Sequence, residues 1–464
     1  MTVDTGPVLA WIEAHFDDSV KRLEEFLRIP SVGADPAHDA DTRRAAEWLT
    51  GELRGIGIEA ALHETPGHPM VVGRSEEGRG PRILYYGHYD VQPPDPLELW
   101  ESPPFEPVVV EGPHGPRIIA RGAVDDKGQL LTILEALRAW KAVHGALPVP
   151  VTLLVEGEEE SSSPNLDPFL ERHRQALAAD VVVVSDTLMP AIDQPAITTQ
   201  LRGLLYAEVT VGGPARDLHS GMFGGAVVNP VHVLARLIAG LHDAHGRVTV
   251  AGFYDRVLPL SPEQRRSWQE LGLDERAILA AAGVERSVGE EGWSVIERIW
   301  ARPCLDVNGI RGGYTGEGAK TVIPAEAHAK LSCRLVPEQR PEEIFAALER
   351  HFRARLPEGC RLSIRELGRG DPVRVPTDSP HLGAARRALG EVFGREPALI
   401  GCGGSIPVVA SFERILGLDT ILVGFGLDDD RMHGPNEKFE LACLRNGIKS
   451  HALLLARMAE LAAG

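Results

Sequence analysis

Three strongly apolar, β-branched runs govern what this chain can become: RILYYGHYDV, VPVTLLVEG and DVVVVSD, separated by helical patterns such as GQLLTILEALRAWKAV. Runs of this kind become strands covered on both faces, which requires helices above and below the sheet. The fold expected is therefore α/β, with a largely parallel sheet flanked by helices. Each run ends in a polar group: His88 follows ILYYG, Glu159 follows VTLLVEG and Asp186 follows VVVVS. Functional groups of such sheets collect at the carboxyl ends of strands, so these three are expected on one rim.

At 464 residues the chain exceeds the size at which a single core stops growing, so two domains are expected. Near Tyr206 the texture changes to strand, helix, strand, helix: YAEVTV, NPVHVLARLIAGL, AHAKLSCRLV and PEEIFAALERHF. This reads as a smaller α+β domain inserted into the first. The Pro/Asp-rich stretch DPVRVPTDSP marks its end, after which PHLGAARRALGEVF, TILVGFG and a closing helix over 437–461 restore the α/β texture. The expected division assigns 1–203 and 374–464 to the first domain and 204–373 to the insert.

A net charge of -18 with no Lys/Arg-rich run argues against nucleic acid or an anionic membrane as partner and suits cations instead. No apolar run reaches the ~20 residues that span a bilayer. The N-terminal stretch carries acids among its apolar residues and reads as an amphipathic helix rather than a secretory signal. Five scattered cysteines without CxxC spacing fit a reducing, cytoplasmic compartment and leave thiolate metal ligation without support.

Five elements carry candidate chemistry. In GHYDV, His88 and Asp90 lie two apart at a strand end, so Asp90 is placed to orient the imidazole; the same pair also reads as a satisfied histidine beside a solvated aspartate. In RGAVDDKGQ, Asp125 and Asp126 repel unless a cation compensates them. A carboxylate bridging two metals, a counter-charge from Lys127 and an exposed helix N-terminus are all compatible readings. In EGEEESSSPN the run 156–160 crowds a strand end, either as a solvated loop or as the source of a general base with a raised pKa. Asp186 closes VVVVSDT, and His433 follows the acidic loop of GFGLDDDRMHGPNEKF. Singly each has an ordinary structural reading; together they offer the imidazole and carboxylate donors that zinc and manganese accept.

On these motifs the sequence resembles the dinuclear metallopeptidase family of carnosinase, cytosolic non-specific dipeptidase, carboxypeptidase G, aminoacylase and succinyl-diaminopimelate desuccinylase, most of all its dipeptidase branch. GHYDVQPP, RGAVDDKGQ, EGEEES, RGLLYAEVTV, RDLHSGMFGG, GAKTVIP, CRLVP, GGSIPV and HGPNEKF occur in the family's order. The resemblance implies two divalent ions per subunit, zinc first, with manganese or cobalt as alternatives. His88 and Asp186 would hold one ion, Glu160 and His433 the other, and Asp125 would bridge them. It further implies Asp90 as the partner of His88 and Glu159 as the base that deprotonates the attacking water and protonates the leaving amine.

The same resemblance implies a catalytic domain, formed by 1–203 and 374–464, with a mixed, mostly parallel sheet of the phosphorylase/hydrolase-like kind, and makes the insert a lid and homodimerisation surface. His219 would reach the partner subunit's site and stabilise the oxyanion as an imidazolium. Arg334 would pair with a substrate carboxylate, with Asn308, Thr321, Gly404 and Ser405 adding contacts. Cys402 departs from the charged residue the family often carries before GGSIP or GGTIP. The function implied is hydrolysis of dipeptides or short peptides with a free C-terminal carboxylate. An N-acyl-amino-acid deacylase or desuccinylase with the same ions is the alternative, and a non-catalytic binding protein the reading from another class.

Overall fold

In the computed structural model, residues 4–462 are described. They divide into two compact units: Met1–Thr199 with Val375–Ile400 and Ser411–Gly464, and Gln200–Arg374 with Gly401–Ala410. The loop Gly401–Ala410, which the sequence texture assigns to the returning α/β segment, packs with the second unit.

The three apolar runs become strands Ile83–His88, Val151–Glu156 and Val181–Ser185, buried along their whole length. Ile83–His88 lies between the other two in parallel, and Thr420–Val423 extends the parallel set beyond Val181–Ser185. Outside these four the sheet turns antiparallel, through Met70–Ser75 and Glu59–His63 on one side and Ala196–Leu201 on the other. The sheet is therefore mixed, and its parallel character is confined to the centre. Hairpin-like connections such as Glu59–His63 to Met70–Ser75 need no crossover helix, which is why the margins reverse direction.

Helix Lys127–His144 begins directly after Asp126, and nearly all its residues up to Trp140 are buried. It packs against the closing helix Leu441–Leu461. That helix starts later than its sequence pattern suggests, because Lys438–Glu440 form a short strand against Arg117–Ile119. The N-terminal amphipathic stretch forms two helices, Gly6–Ala14 and Phe16–Leu27, its first three residues lying outside the described part.

The second unit contains a four-stranded antiparallel sheet in the order Cys304–Gly312, Glu326–Leu335, Gly203–Gly212, Arg361–Gly370. Burial alternates along Gly203–Gly212 and Glu326–Leu335, the period-two signature of a sheet with one covered face. Helices Pro230–Ala239 and Pro341–Arg355 supply Val233, Leu234, Leu237, Ile344, Leu348 and Phe352 to that core. Among the described residues no helix is long and apolar enough to cross a membrane, and no disulfide joins any of the cysteines.

Candidate metal centre

The rim of the first unit's sheet gathers the expected residues. His88 ends its strand fully buried, and its backbone N–H donates to Asp126 Oδ2 at 3.2 Å. Gly87 makes room for this: a Cβ there would come within 2.8 Å of the same oxygen. The His88 Nδ1 is 3.0 Å from the Asp90 carbonyl and 3.3 Å from its Oδ1. The Asp90 carboxylate also accepts the backbone N–H groups of Glu159 (3.3 Å) and Glu160 (3.0 Å). Asp90 therefore joins the His88 strand end to the glutamate turn, a link that spacing alone did not disclose.

The far side of the imidazole is the telling one. His88 Nε2 is buried and makes no hydrogen bond, yet stands 3.2 Å from Asp125 Oδ1 and 3.9 Å from Asp186 Oδ2. The second oxygen of Asp125 lies 2.8 Å from His433 Nε2, which is 3.5 Å from Glu160 Oε2. Two triads of donor atoms result, each compact enough for one cation: His88, Asp125 and Asp186, and Asp125, Glu160 and His433. Asp125 belongs to both. Glu160 Oε1 is also buried without a partner, and its Oε2 accepts from Gln92 at 2.8 Å.

Electrostatics point the same way. Burial, with Asp125 beside it, pushes Glu160 up to about 8. Burial and the neighbouring Asp126 and Asp125 carry Asp186 well above the usual carboxylate range, and burial raises Glu159 as well. For Asp125 burial opposes the charge, but His433 and His88 outweigh it and hold the carboxyl low. Asp125 pushes His433 up to about 8. Carboxyls crowded in this way take up protons unless a cation replaces them. Imidazole and carboxylate donors with orphaned buried atoms fit zinc, manganese or cobalt.

Two readings of the Asp125–Asp126 pair fall away. It is buried rather than exposed at a helix end, and Lys127 turns its ammonium to the Phe26 and Ile29 carbonyls at 3.1 and 2.6 Å. Sequence reasoning also missed three supporting groups. Glu437, read as the start of a helix, is fully buried beneath the Asp125 loop. Glu156 accepts from Tyr86 at 2.6 Å and Ser163 at 2.9 Å. His451 Nε2 lies 3.2 Å from the hydroxyl of Ser185, directly before Asp186. Glu156 and Glu437 lie inside EGEEES and HGPNEKF without a role of their own assigned from the sequence, and for His451 an imidazole on an otherwise apolar helix was the available signal.

The remaining candidates lie in the second unit. Arg334 Nη1 donates to Ser405 Oγ at 3.0 Å, and Ser405 donates to the Arg202 carbonyl at 2.5 Å. Ser405 thereby links Arg334 to the Arg202 backbone. Gly404 accepts from the Arg202 backbone N–H through its carbonyl at 3.2 Å. His219 is exposed, and its Nδ1 accepts the Gly221 N–H at 3.0 Å. Asn308 sits exposed at a bulge between Val307 and Gly309, and exposed Thr321 accepts the Ser220 N–H through its carbonyl at 3.1 Å.

An α/β unit that gathers such donors at its strand ends is that of a metal-dependent hydrolase. The model of Peptidase family M20/M25/M40 matches residues 84–457, and the chain belongs to that family. It is 31% identical to a Cys-Gly metallodipeptidase of Schizosaccharomyces pombe, over 94% of this chain and 95% of that protein. It is equally 31% identical to the Beta-Ala-His dipeptidase of Homo sapiens, over 98% and 92%. Among solved structures it resembles the M20 family metallo-carboxypeptidase Sso-CP2 from Sulfolobus solfataricus, with a TM-score of 0.85 at 33% identity, covering 96% of this chain and all of that one.

Proposed function

We propose that this protein hydrolyses the amide bond of dipeptides and short peptides carrying a free C-terminal carboxylate, with two divalent cations at the rim of its first unit. The observation that carries the reading is the shared carboxylate: Asp125 presents one oxygen to the His88 side and the other to His433. His88 and Asp186 complete one site, Glu160 and His433 the other, and zinc is the expected ion in both. When bound, such ions polarise the scissile carbonyl and acidify water.

The chain's own groups do the rest. Glu159, raised by burial, takes a proton from the attacking water as its oxygen bonds to the carbonyl carbon. The same carboxyl returns that proton to the amine nitrogen as the C–N bond breaks. Asp90 holds both the His88 ring and the Glu159–Glu160 backbone. Arg334, steadied by Ser405, receives the substrate carboxylate. Asn308, Thr321 and Gly404 line its approach, and His219 meets the developing oxyanion from the partner subunit of a homodimer.

The second unit's role as lid and dimerisation surface is supported by its exposed apolar side chains Met222, Phe223 and Ile310. The cysteine pattern supports a cytoplasmic location. Dipeptides with free and amidated C-termini, run against N-acetyl and N-succinyl amino acids, test the reading. Metal-dependent turnover of free dipeptides is expected, and turnover confined to acylated amino acids contradicts it.

A further inference from the structure

Two loops that are distant in sequence each carry a member of the second donor triad, and a single side chain ties them together. The loop over 121–125 curls through Gly122, at a φ of 82°, so that several backbone N–H groups face one point. Such a concavity binds anions. Here the anion is Glu437. Its Oε1 accepts the N–H groups of Val124 (3.0 Å) and Asp125 (3.1 Å), and its Oε2 accepts Gly122 N–H (3.0 Å) and Arg121 Nη1 (2.7 Å). Glu437 is fully buried and Arg121 nearly so.

Glu437 also ends a loop under backbone strain. Arg431, His433 and Asn436 all adopt left-handed φ values, 57°, 61° and 61°, a region that residues other than Gly and Asn enter at a cost, which here falls on Arg431 and His433. Such conformations persist only where surrounding contacts over-determine them. Asn436 supplies some, accepting Glu101 N–H at 2.7 Å and donating to the Leu99 carbonyl at 2.9 Å. Glu437 adds contacts to the opposite loop.

We propose that Glu437 is a positioning residue that locks the Asp125 and His433 loops into one ligand frame, its two oxygens accepting four N–H groups. The inference rests on the metal-centre reading above. It also makes a chemical rather than steric demand: all four partners are donors, so an amide of the same size places its NH2 against N–H groups.

Cobalt(II) titration against a competing chelator, with the visible spectrum of the bound ion, tests this in the full chain. Glu437→Gln is expected to weaken binding about 10- to 100-fold, the usual effect of losing a group that orients ligands, and to change the spectrum. Glu437→Asp keeps acceptors only but falls a methylene short of the four donors, and is expected to weaken binding measurably yet by less than about tenfold. Glu135→Gln is the control: it weakens a buried contact from helix Lys127–His144 to Arg22 and Ser19 of helix Phe16–Leu27 and leaves affinity unchanged. Equal affinity of Glu437→Gln and wild type, or an aspartate variant worse than the glutamine one, overturns the proposal. Should the glutamine variant not fold, equal affinity of Glu437→Asp and Glu135→Gln overturns it instead. Wild-type protein that binds no cobalt(II) overturns the metal-centre reading together with this inference, whereas bound ions with unchanged variants overturn the inference alone.

Discussion

Asp125 and His433 meet at 2.8 Å, Oδ2 to Nε2, while the other oxygen of Asp125 stands 3.2 Å from His88 Nε2. One carboxylate thus faces two imidazoles that come from opposite ends of the chain. Each flank holds a further acid, Asp186 beside His88 and Glu160 beside His433. This geometry accounts for the orphaned nitrogen of His88 and for the raised carboxyls around it.

If Glu159 shuttles the proton and does not hold the ions, Glu159→Gln keeps the wild-type metal content and loses about 10²- to 10⁴-fold in kcat, the usual share of general acid–base catalysis. Metal analysis alongside steady-state kinetics checks this. Loss of the ions in that variant contradicts the division of roles between Glu159 and Glu160.

The metal-free protein has a definite pH dependence. Glu160, raised to about 8 from 4.5, keeps its proton in the native state where the unfolded chain has lost it. Native protein therefore binds more protons between those values, and its stability falls as pH rises through them. His433, raised to about 8 from 6.5, has the same sign, its contribution being lost as pH climbs past 8. Asp125, depressed below 3.8, acts only in stronger acid. The Tm of chelator-treated protein should drop from pH 5 to pH 8, and added zinc should raise it more at pH 8. Calorimetry in which the chelated protein grows more stable over that range rejects this picture.

Binding of the ions should release protons near neutrality, because Glu160 and His433 both give one up to become ligands. Titration calorimetry in two buffers of different ionisation enthalpy measures the number. A binding heat independent of the buffer is the contrary result.

Arg334→Met should raise KM for free dipeptides about 10- to 100-fold, the range for a lost hydrogen bond to a charged group, and leave C-terminal amides less affected. An equal effect on both substrates places the carboxylate elsewhere. If His219 acts across subunits, mixing His219→Ala with Glu159→Gln protein under exchange should recover roughly a quarter of wild-type activity, since one site in each mixed dimer is complete.

What the sequence disclosed follows from the strength of local patterns. Val181–Ser185 and Ile83–His88 are strongly apolar up to their polar ends and buried along their length, so the strands, and the rim on which Asp186 and His88 sit, could be read directly. The antiparallel margins could not, because pairing direction depends on partners distant in sequence. Asp125 was visible only as one of two adjacent acids; the burial that decides its role comes from helix Lys127–His144 and Glu437 packing around it. Glu437 was hidden for a related reason, since in HGPNEKF it resembles an acid at a helix start. Its real partners lie more than three hundred positions earlier. The packing of Gly401–Ala410 with the second unit had no local signal.

The most direct test of the shared carboxylate is an equilibrium zinc titration of wild-type protein and Asp125→Asn. The account predicts two ions per wild-type chain and weakened binding of both in the variant, because each triad loses an anionic ligand. A variant that loses one ion and holds the other at wild-type affinity, or a wild-type chain that binds a single ion, contradicts it.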